Sequence, residues 1–246
     1  MGPLKLSNKD SELKIIKKRV ALLNDYKNFI DQQHYAEKFD SRSNLHSTVL
    51  EEFMYFLFKD LISDYSDKAL IGKARVFKDI FFRANNFDLM IKKTNAKIEI
   101  KDHDFTIGVR INATMNTLGS DIYDQFVWDI PAIAIECKTY LDKTMLQDAS
   151  TSAEELKLRN PNAKYVVVAE WLKLTESVNL KKYKIDQIYV LRKQKNTDRE
   201  FRYSDSYVKN PIYSDVVYHL FSFVKDYLTI EWESSIEHGL SKGILL

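Results

Sequence analysis

Two opposite charges interrupt an apolar run in the stretch IPAIAIECKTYL, residues 130–141. Side chains alternate between the two faces of a β-strand, so Glu136 and Lys138 are predicted to point the same way and Cys137 the other way. An unpaired carboxylate and ammonium in an apolar strand are costly, so partners must satisfy both. A structural ion pair would satisfy them, and so would a metal-dependent catalytic site. The Glu-x-Lys pair alone leaves both interpretations open.

A second carboxylate upstream in the sequence favours the interpretation as a metal-dependent catalytic site. Asp104 opens an alternating apolar strand within KDHDFTIGVR, and its distance from Glu136 in sequence suits a strand, a loop and a return strand. Mg²⁺ prefers oxygen ligands, usually one or two carboxylates plus waters. We therefore expect Asp104, Glu136 and the backbone carbonyl of Cys137 to hold Mg²⁺. Lys138 is expected to orient or deprotonate a bound water and to stabilise charge in the transition state.

Other aspartates compete with Asp104. Asp88 also precedes an apolar run and is the second choice, whereas Asp102 is either a second acid on the same face or a surface charge. Asp129 lies on the same predicted strand as Glu136, and seven extended residues span about 23 Å, which is too far for a shared ion. The sequence therefore leaves Asp88 open as an alternative to Asp104.

Composition excludes several classes of protein. The chain has 246 residues, of which 45% are hydrophobic and 29% charged, and a net charge of +2. No run of eighteen apolar residues predicts a membrane span, and the charged N-terminus does not resemble a signal peptide. The single cysteine agrees with a reducing compartment, so we expect a cytoplasmic protein. The five histidines show no zinc-ligand spacing, and no phosphate-binding glycine loop or GxSxG motif occurs.

The order of predicted elements is helix, helix, several strands, helix, two strands, helix. The second helix, VLEEFMYFLFKDLI, carries Glu51 and Glu52, either of which is expected to serve as an auxiliary acid. The runs FDLMIKK, AKIEI, HDFTIGVRI and IPAIAIECKTYL are predicted as successive strands, because each is short and rich in Ile, Val or Phe. This pattern indicates an α/β (α+β) domain.

The order of these elements around Asp104 and Glu136-x-Lys138 resembles the core of the PD-(D/E)xK nuclease superfamily. The runs VLEEFMYFLF, KDHDFTIG, PAIAIECKTYL, MLQDASTSAEELK, YVVVAEWLKL and IDQIYVLRKQKN are similar, in the same order, to runs of the BbvCI group of type II restriction endonucleases. The resemblance implies a central mixed sheet flanked by helices. It implies one endonuclease domain over 1–246, with an N-terminal helical extension (1–45), the core (46–196) and a C-terminal helical region (197–246).

The resemblance also implies an activity: Mg²⁺-dependent cleavage of double-stranded DNA at a short specific site, related to CCTNAGC or CCTCAGC, leaving 5′ overhangs. Asp104 matches the motif aspartate, although no Pro precedes it, and Glu136 and Lys138 match the second half of the motif. Cutting both strands needs two active sites, so a homodimer, or a heterodimer with a related subunit, is expected. A companion DNA methyltransferase is expected in the same bacterial or archaeal system, although not as a stable partner.

Basic residues are the candidates for contacts with DNA. Those proposed for phosphates are Lys157, Arg159, Arg192, Lys193, Lys195 and Arg202, with His103 beside Asp104 as a further candidate and Asn196 as a base reader. Two other functions are weighed against a restriction enzyme: a repair or structure-specific nuclease on the same core, and a non-catalytic DNA-binding partner subunit.

Overall fold

The structure is a computed structural model that describes residues 9–39, 48–195, 206–232, 240–241 and 243. Its helices are α1 (Lys9–Ile30), α2 (Gln33–Lys38), α3 (Val49–Ser63), α4 (Phe87–Lys92), α5 (Lys143–Arg159) and α6 (Ser214–Thr229). Its strands are β1 (Ala69–Phe82), β2 (Ala96–Asn116), β3 (Tyr123–Leu141), β4 (Lys164–Leu172) and β5 (Gln187–Val190). Within the described ranges, no helix is long and apolar enough to span a membrane.

The strands form one five-stranded mixed sheet in the order β1-β2-β3-β4-β5. The pairs β1/β2 and β2/β3 are antiparallel, whereas β3/β4 and β4/β5 are parallel. A parallel pair needs a long crossover connection, and α5 supplies it between β3 and β4. The predicted α+β class, a central mixed sheet flanked by helices, is confirmed.

Each face of the sheet is covered by helices. On one face, Ile133, Ile135 and Cys137 of β3 pack in a core with α1, α3 and α6. On the opposite face, Ala134 belongs to a second core, in which α5 contributes Leu146, Ala149, Ala153 and Leu156. The alternation of side chains along β3 therefore sends Cys137 to the first face and Glu136 to the second.

Two irregularities in the pairing of β2 with its neighbours lie near Asp104, one with an extra residue in β2 and one with an extra residue, Ala132, in β3. Between Gly72 and Ala74 of β1, which pair with Thr106 and His103, β2 contains one extra residue. Such bulges bend a strand and change the direction in which its side chains point. The second irregularity follows Ile107, where β2 approaches β3 so closely that a Cβ on Gly108 would lie 2.1 Å from the Ile130 carbonyl oxygen. Only glycine fits at this crossing.

Two predictions of local structure are wrong, and one strand was not predicted. The run FDLMIKK forms the helix α4, whose first turn is capped by the Asn86 side chain accepting a hydrogen bond from the Leu89 amide at 2.9 Å. The runs AKIEI and HDFTIGVRI belong to one strand, β2, because the charged residues between them lie within a continuous ladder. Strand β1 was not predicted, since its charged residues obscure the alternation.

Candidate active site

Asp104, Glu136 and Lys138 lie together in the folded chain. The Lys138 ammonium is 2.6 Å from Glu136 Oε1 and 3.9 Å from Asp104 Oδ2. Their side chains are between one fifth and one third exposed, at 29% for Asp104, 21% for Glu136 and 28% for Lys138. The three groups are thus sheltered by the sheet and still reachable from solvent.

The register of β2 and β3 produces this arrangement. Phe105 pairs with Ile135, which places Asp104 beside the end of the apolar run in β3. The Cys137 amide then donates a hydrogen bond of 2.9 Å to Asp104 Oδ2. The Cys137 thiol faces the other way, into the core, and burial raises its pKa well above the ordinary value. Cys137 therefore contributes its backbone to the site, not its thiol.

The electrostatics of the site favour a bound cation. Burial and the neighbouring Glu136 charge raise the pKa of Asp104. Burial disfavours the charged form of Lys138, yet the pKa of Lys138 is raised because Glu136 and Asp104 surround the ammonium. Two carboxylates thus face one ammonium, and an added positive charge would relieve their mutual repulsion.

Of the two candidate auxiliary acids, only Glu51 lies at the site. Its carboxylate is 2.9 Å from the Lys73 ammonium, and its charge contributes to the raised pKa of Asp104. Glu52 instead lines a groove between α1 and α3, next to Arg19. A cleft of about 270 Å³ opens beside Asp104 and is also lined by Lys73 and Asp102.

Tyr165 of β4 is a site residue that the sequence did not reveal. Its hydroxyl donates a hydrogen bond of 3.1 Å to Glu136 Oε2, and the residue is fully buried. Burial and the Glu136 charge raise the pKa of Tyr165 strongly, so the phenol remains a donor. Glu136 is thus held at Oε1 by Lys138 and at Oε2 by Tyr165. Nothing in the run KYVVVAEWL distinguishes this tyrosine from a core residue, and its role depends on the pairing of β4 with β3.

The competing aspartates lie elsewhere. Asp88 is exposed on α4. Asp129 is buried and accepts hydrogen bonds from the Arg75 amide at 2.8 Å and from Arg110 Nε at 2.8 Å. Asp102 is exposed and lines the cleft near Asp104.

Two of the residues proposed to contact DNA are buried in the protein. Arg192 is 1% exposed, and both its Nε and its Nη2 lie 2.8 Å from Glu170 Oε1. His103 is 4% exposed and packs edge-on against the Tyr165 ring, and burial lowers its pKa. Neither side chain is accessible to a phosphate, because the sheet places both in the interior.

The remaining basic candidates are distributed over the molecule. Lys157 pairs with Asp186 at 2.7 Å, and Arg159 donates to the Glu155 carbonyl at the end of α5. After the C-terminal end of β5, Lys193 pairs with Asp215, and Lys195 lies 3.7 Å from Glu176. These two groups therefore lie at opposite ends of β5, since Asp186 precedes that strand and Lys193 follows it. Asn196 and Arg202 fall outside the described residues.

The donor set fits a small divalent cation. Among the described residues, no three His, Cys, Asp or Glu side chains converge in a metal-binding geometry. Mg²⁺ does not need such a cluster, since it usually keeps several waters and binds one or two carboxylates. Asp104 and Glu136 supply two carboxylates on adjacent strands, next to a solvent-accessible cleft.

Comparison with known proteins places the chain in a family. No curated protein matches its sequence. The fold is similar to that of a chain in the native BbvCI A2B2 tetramer at low resolution, with a TM-score of 0.55 and 18% identity over 91% of this chain and 92% of that one. The Bpu10I restriction endonuclease family matches residues 42–245, which include every residue of the candidate site. The chain therefore belongs to the Bpu10I restriction endonuclease family and is a type II restriction endonuclease.

Proposed function

We propose that this restriction endonuclease hydrolyses phosphodiester bonds of double-stranded DNA at a short specific site, with Mg²⁺ held by Asp104, Glu136 and the Cys137 carbonyl. The observation that carries the proposal is the convergence of Asp104, Glu136 and Lys138 at one end of an apolar strand. When bound there, Mg²⁺ would polarise the phosphate and lower the pKa of a coordinated water.

The side chains have separate tasks in this proposal. Asp104 and Glu136 bind the cation, and the Cys137 amide and the Tyr165 hydroxyl keep the two carboxylates in place. Lys138 lies on the same face, so its ammonium orients the attacking water and stabilises charge that develops on the phosphate oxygens. Glu51, paired with Lys73, assists as the auxiliary acid.

The resemblance to the BbvCI group supports finer features of the proposal. These are a site related to CCTNAGC, 5′ overhangs and a companion methyltransferase that protects the host site. Sequencing the DNA ends after a Mg²⁺ digest tests these features: one repeated site with 5′ overhangs supports them, whereas scattered ends, or nicks confined to mismatches or flaps, contradict them.

We further propose that the active form contains two such chains, or this chain and a related subunit. Helix α4 supports a partner, because none of its residues is buried and most are apolar. Phe87, Met90 and Ile91 are each more than half exposed. Contiguous apolar surface of this kind commonly marks a protein–protein contact.

Two substitutions test the catalytic assignment. Glu136→Ala and Lys138→Ala are each expected to abolish detectable Mg²⁺-dependent cleavage of plasmid DNA, because each removes a group from the reacting centre. DNA binding, measured by fluorescence anisotropy, is expected to persist. Lys68→Ala, at an exposed lysine before β1, is the control and should cleave normally. Full cleavage by either site variant would exclude the mechanism.

A further inference from the structure

The hairpin of β2 and β3 presents one exposed and largely polar face beyond the active site. In the register of the hairpin, Asn112 pairs with Val127 and Thr114 pairs with Gln125. The residues of this face, which we term the ribbon face, are all exposed: Arg110, Asn112, Thr114, Tyr123, Gln125 and Val127. The alternate residues of both strands are half-buried, so the hairpin has a distinct inner and outer side.

The ribbon face differs chemically from the rest of the exposed sheet. Its exposed groups are a guanidinium, two amides, two hydroxyls and a valine, and the carboxylate on the same face, that of Asp129, is buried beneath Arg110. The adjoining β1/β2 hairpin shows the usual solvent-exposed mixture of charges instead, with Asp79, Lys97 and Glu99. The major groove of DNA accommodates a two-stranded ribbon and displays hydrogen-bond donors, acceptors and thymine methyl groups. The donors, acceptors and apolar group of the ribbon face are of the kinds that bind those base edges.

Arg110 is held by a buried carboxylate. Its Nε and Nη2 donate to Asp129 at 2.8 and 3.3 Å, and Asp129 is 1% exposed whereas the Arg110 side chain is 58% exposed. The guanidinium is therefore anchored on its inner side and presents Nη1 and the second Nη2 proton outward. An arginine oriented in this way is arranged for a bidentate contact with guanine O6 and N7.

The two amides of the ribbon face also form a unit. Gln125 Nε2 donates to Asn112 Oδ1 at 3.2 Å. This bond leaves the Asn112 amide protons and the Gln125 carbonyl oxygen available side by side. Adenine offers the complementary pair in the major groove, an acceptor at N7 and a donor at N6.

The ribbon face is continuous with the active site. Asp129, which anchors Arg110, also accepts a hydrogen bond from the Arg75 amide at 2.8 Å. Arg75 lines the same cleft as Asp104. DNA that reaches the carboxylates through this cleft would therefore pass beside Arg110.

We propose that the ribbon face enters the major groove and reads bases of the target, with Arg110 recognising a guanine and the Asn112–Gln125 pair an adenine. This inference rests on the proposed function and deepens it, since it assigns the element that selects the site. Val127, exposed on the same face, would contact a thymine methyl group.

Selection from a random-sequence duplex library tests the assignment. The full-length chain is incubated with the library in Ca²⁺ in place of Mg²⁺, and bound duplexes are sequenced. Wild-type protein is expected to enrich one motif. Arg110→Lys keeps the charge and loses the bidentate fork, so preference for guanine should fall about 5- to 150-fold at one position. Asn112→Ala combined with Gln125→Ala should relax a different position, at an adenine.

Controls separate base reading from general binding. Both variants should keep the wild-type dependence of binding on salt, because phosphate contacts are unchanged. Arg83→Ala, at an exposed arginine off the ribbon face, should leave the motif intact. Variants that keep the full motif, or that weaken binding equally at all positions, overturn the ribbon assignment alone. A wild-type chain that enriches no motif, either alone or together with the related subunit, overturns the site-specific function as well.

Discussion

Replacing Tyr165 by phenylalanine removes one hydroxyl from behind the active site and leaves the ring in place. That hydroxyl is fully buried and donates to Glu136 Oε2 at 3.1 Å. Without it, Glu136 is held only by Lys138 at Oε1. The carboxylate can then rotate away from the position in which it binds the metal.

The magnitude follows from the charge of the acceptor. A hydrogen bond to a charged group contributes about 1.5–3 kcal/mol. If this energy serves to position Glu136, the single-turnover rate of DNA cleavage falls about 10- to 150-fold, because 1.36 kcal/mol corresponds to a factor of ten. The Mg²⁺ concentration needed for half-maximal rate should rise as well.

The assay is single-turnover cleavage of a defined duplex over a range of Mg²⁺ concentrations, with urea unfolding measured in parallel. Tyr183→Phe is the matched control, because the Tyr183 hydroxyl is buried and has no hydrogen-bond partner among the residues that the structure describes. This control should keep the wild-type rate. A Tyr165→Phe enzyme with the wild-type rate and Mg²⁺ dependence would refute the positioning role, and so would an equal loss of rate in both variants.

Two further predictions concern buried groups. Glu170→Ala removes the nearer of the two carboxylates that Lys27 and Arg192 share, and both cations are at most 2% exposed. Asp31 remains at 3.6 Å from Lys27 and 3.8 Å from Arg192, so urea unfolding should show a loss near the lower end of about 3–5 kcal/mol. Removing Asp215 from its exposed pair should cost less than about 1 kcal/mol, and equal losses would contradict this reasoning. Burial by itself would raise the pKa of Glu170, but Lys27 and Arg192 lower this pKa below the ordinary value of 4.5. The ionised Glu170 carboxylate therefore stabilises the fold fully above pH 4.5, and this stabilisation is lost as the pH falls through the lowered pKa. The Cys137 thiol should resist thiol reagents in the native protein and react with them in urea, because burial both shields the thiol and raises its pKa. Rapid labelling of the native protein would show that the two faces of β3 are assigned wrongly.

The local part of the site was accessible from the sequence. The alternation of a strand depends only on adjacent residues, so the common face of Glu136 and Lys138 and the opposite face of Cys137 followed from IPAIAIECKTYL. The pattern of KDHDFTIGVR predicted Asp104 at the start of a neighbouring strand; Asp104 does lie on the neighbouring strand, but inside β2 and not at its start. The order of elements and the motif spacing were enough to predict the fold class, because helical and strand periodicities differ over short windows.

Contacts between distant segments were decided only by the tertiary structure. Tyr165 reaches Glu136 because β4 pairs in parallel with β3, a register that no local pattern specifies. Glu51 and Glu52 are equivalent in sequence, and only the packing of α3 on the sheet directs Glu51 to the site and Glu52 to the groove beside α1.

The structure differs most from the sequence-based predictions where a charged residue is buried. Arg192 has the sequence appearance of a surface cation, yet its partner Glu170 lies on β4, far away in sequence, and both side chains are buried. A charged residue can enter the interior only with such a partner, and partners far apart in sequence are identified by the fold. The sequence by itself determined which residues share a strand face and which chemistry they allow. The fold decided which carboxylates, donors and cations meet, because those meetings depend on strand pairing and helix packing.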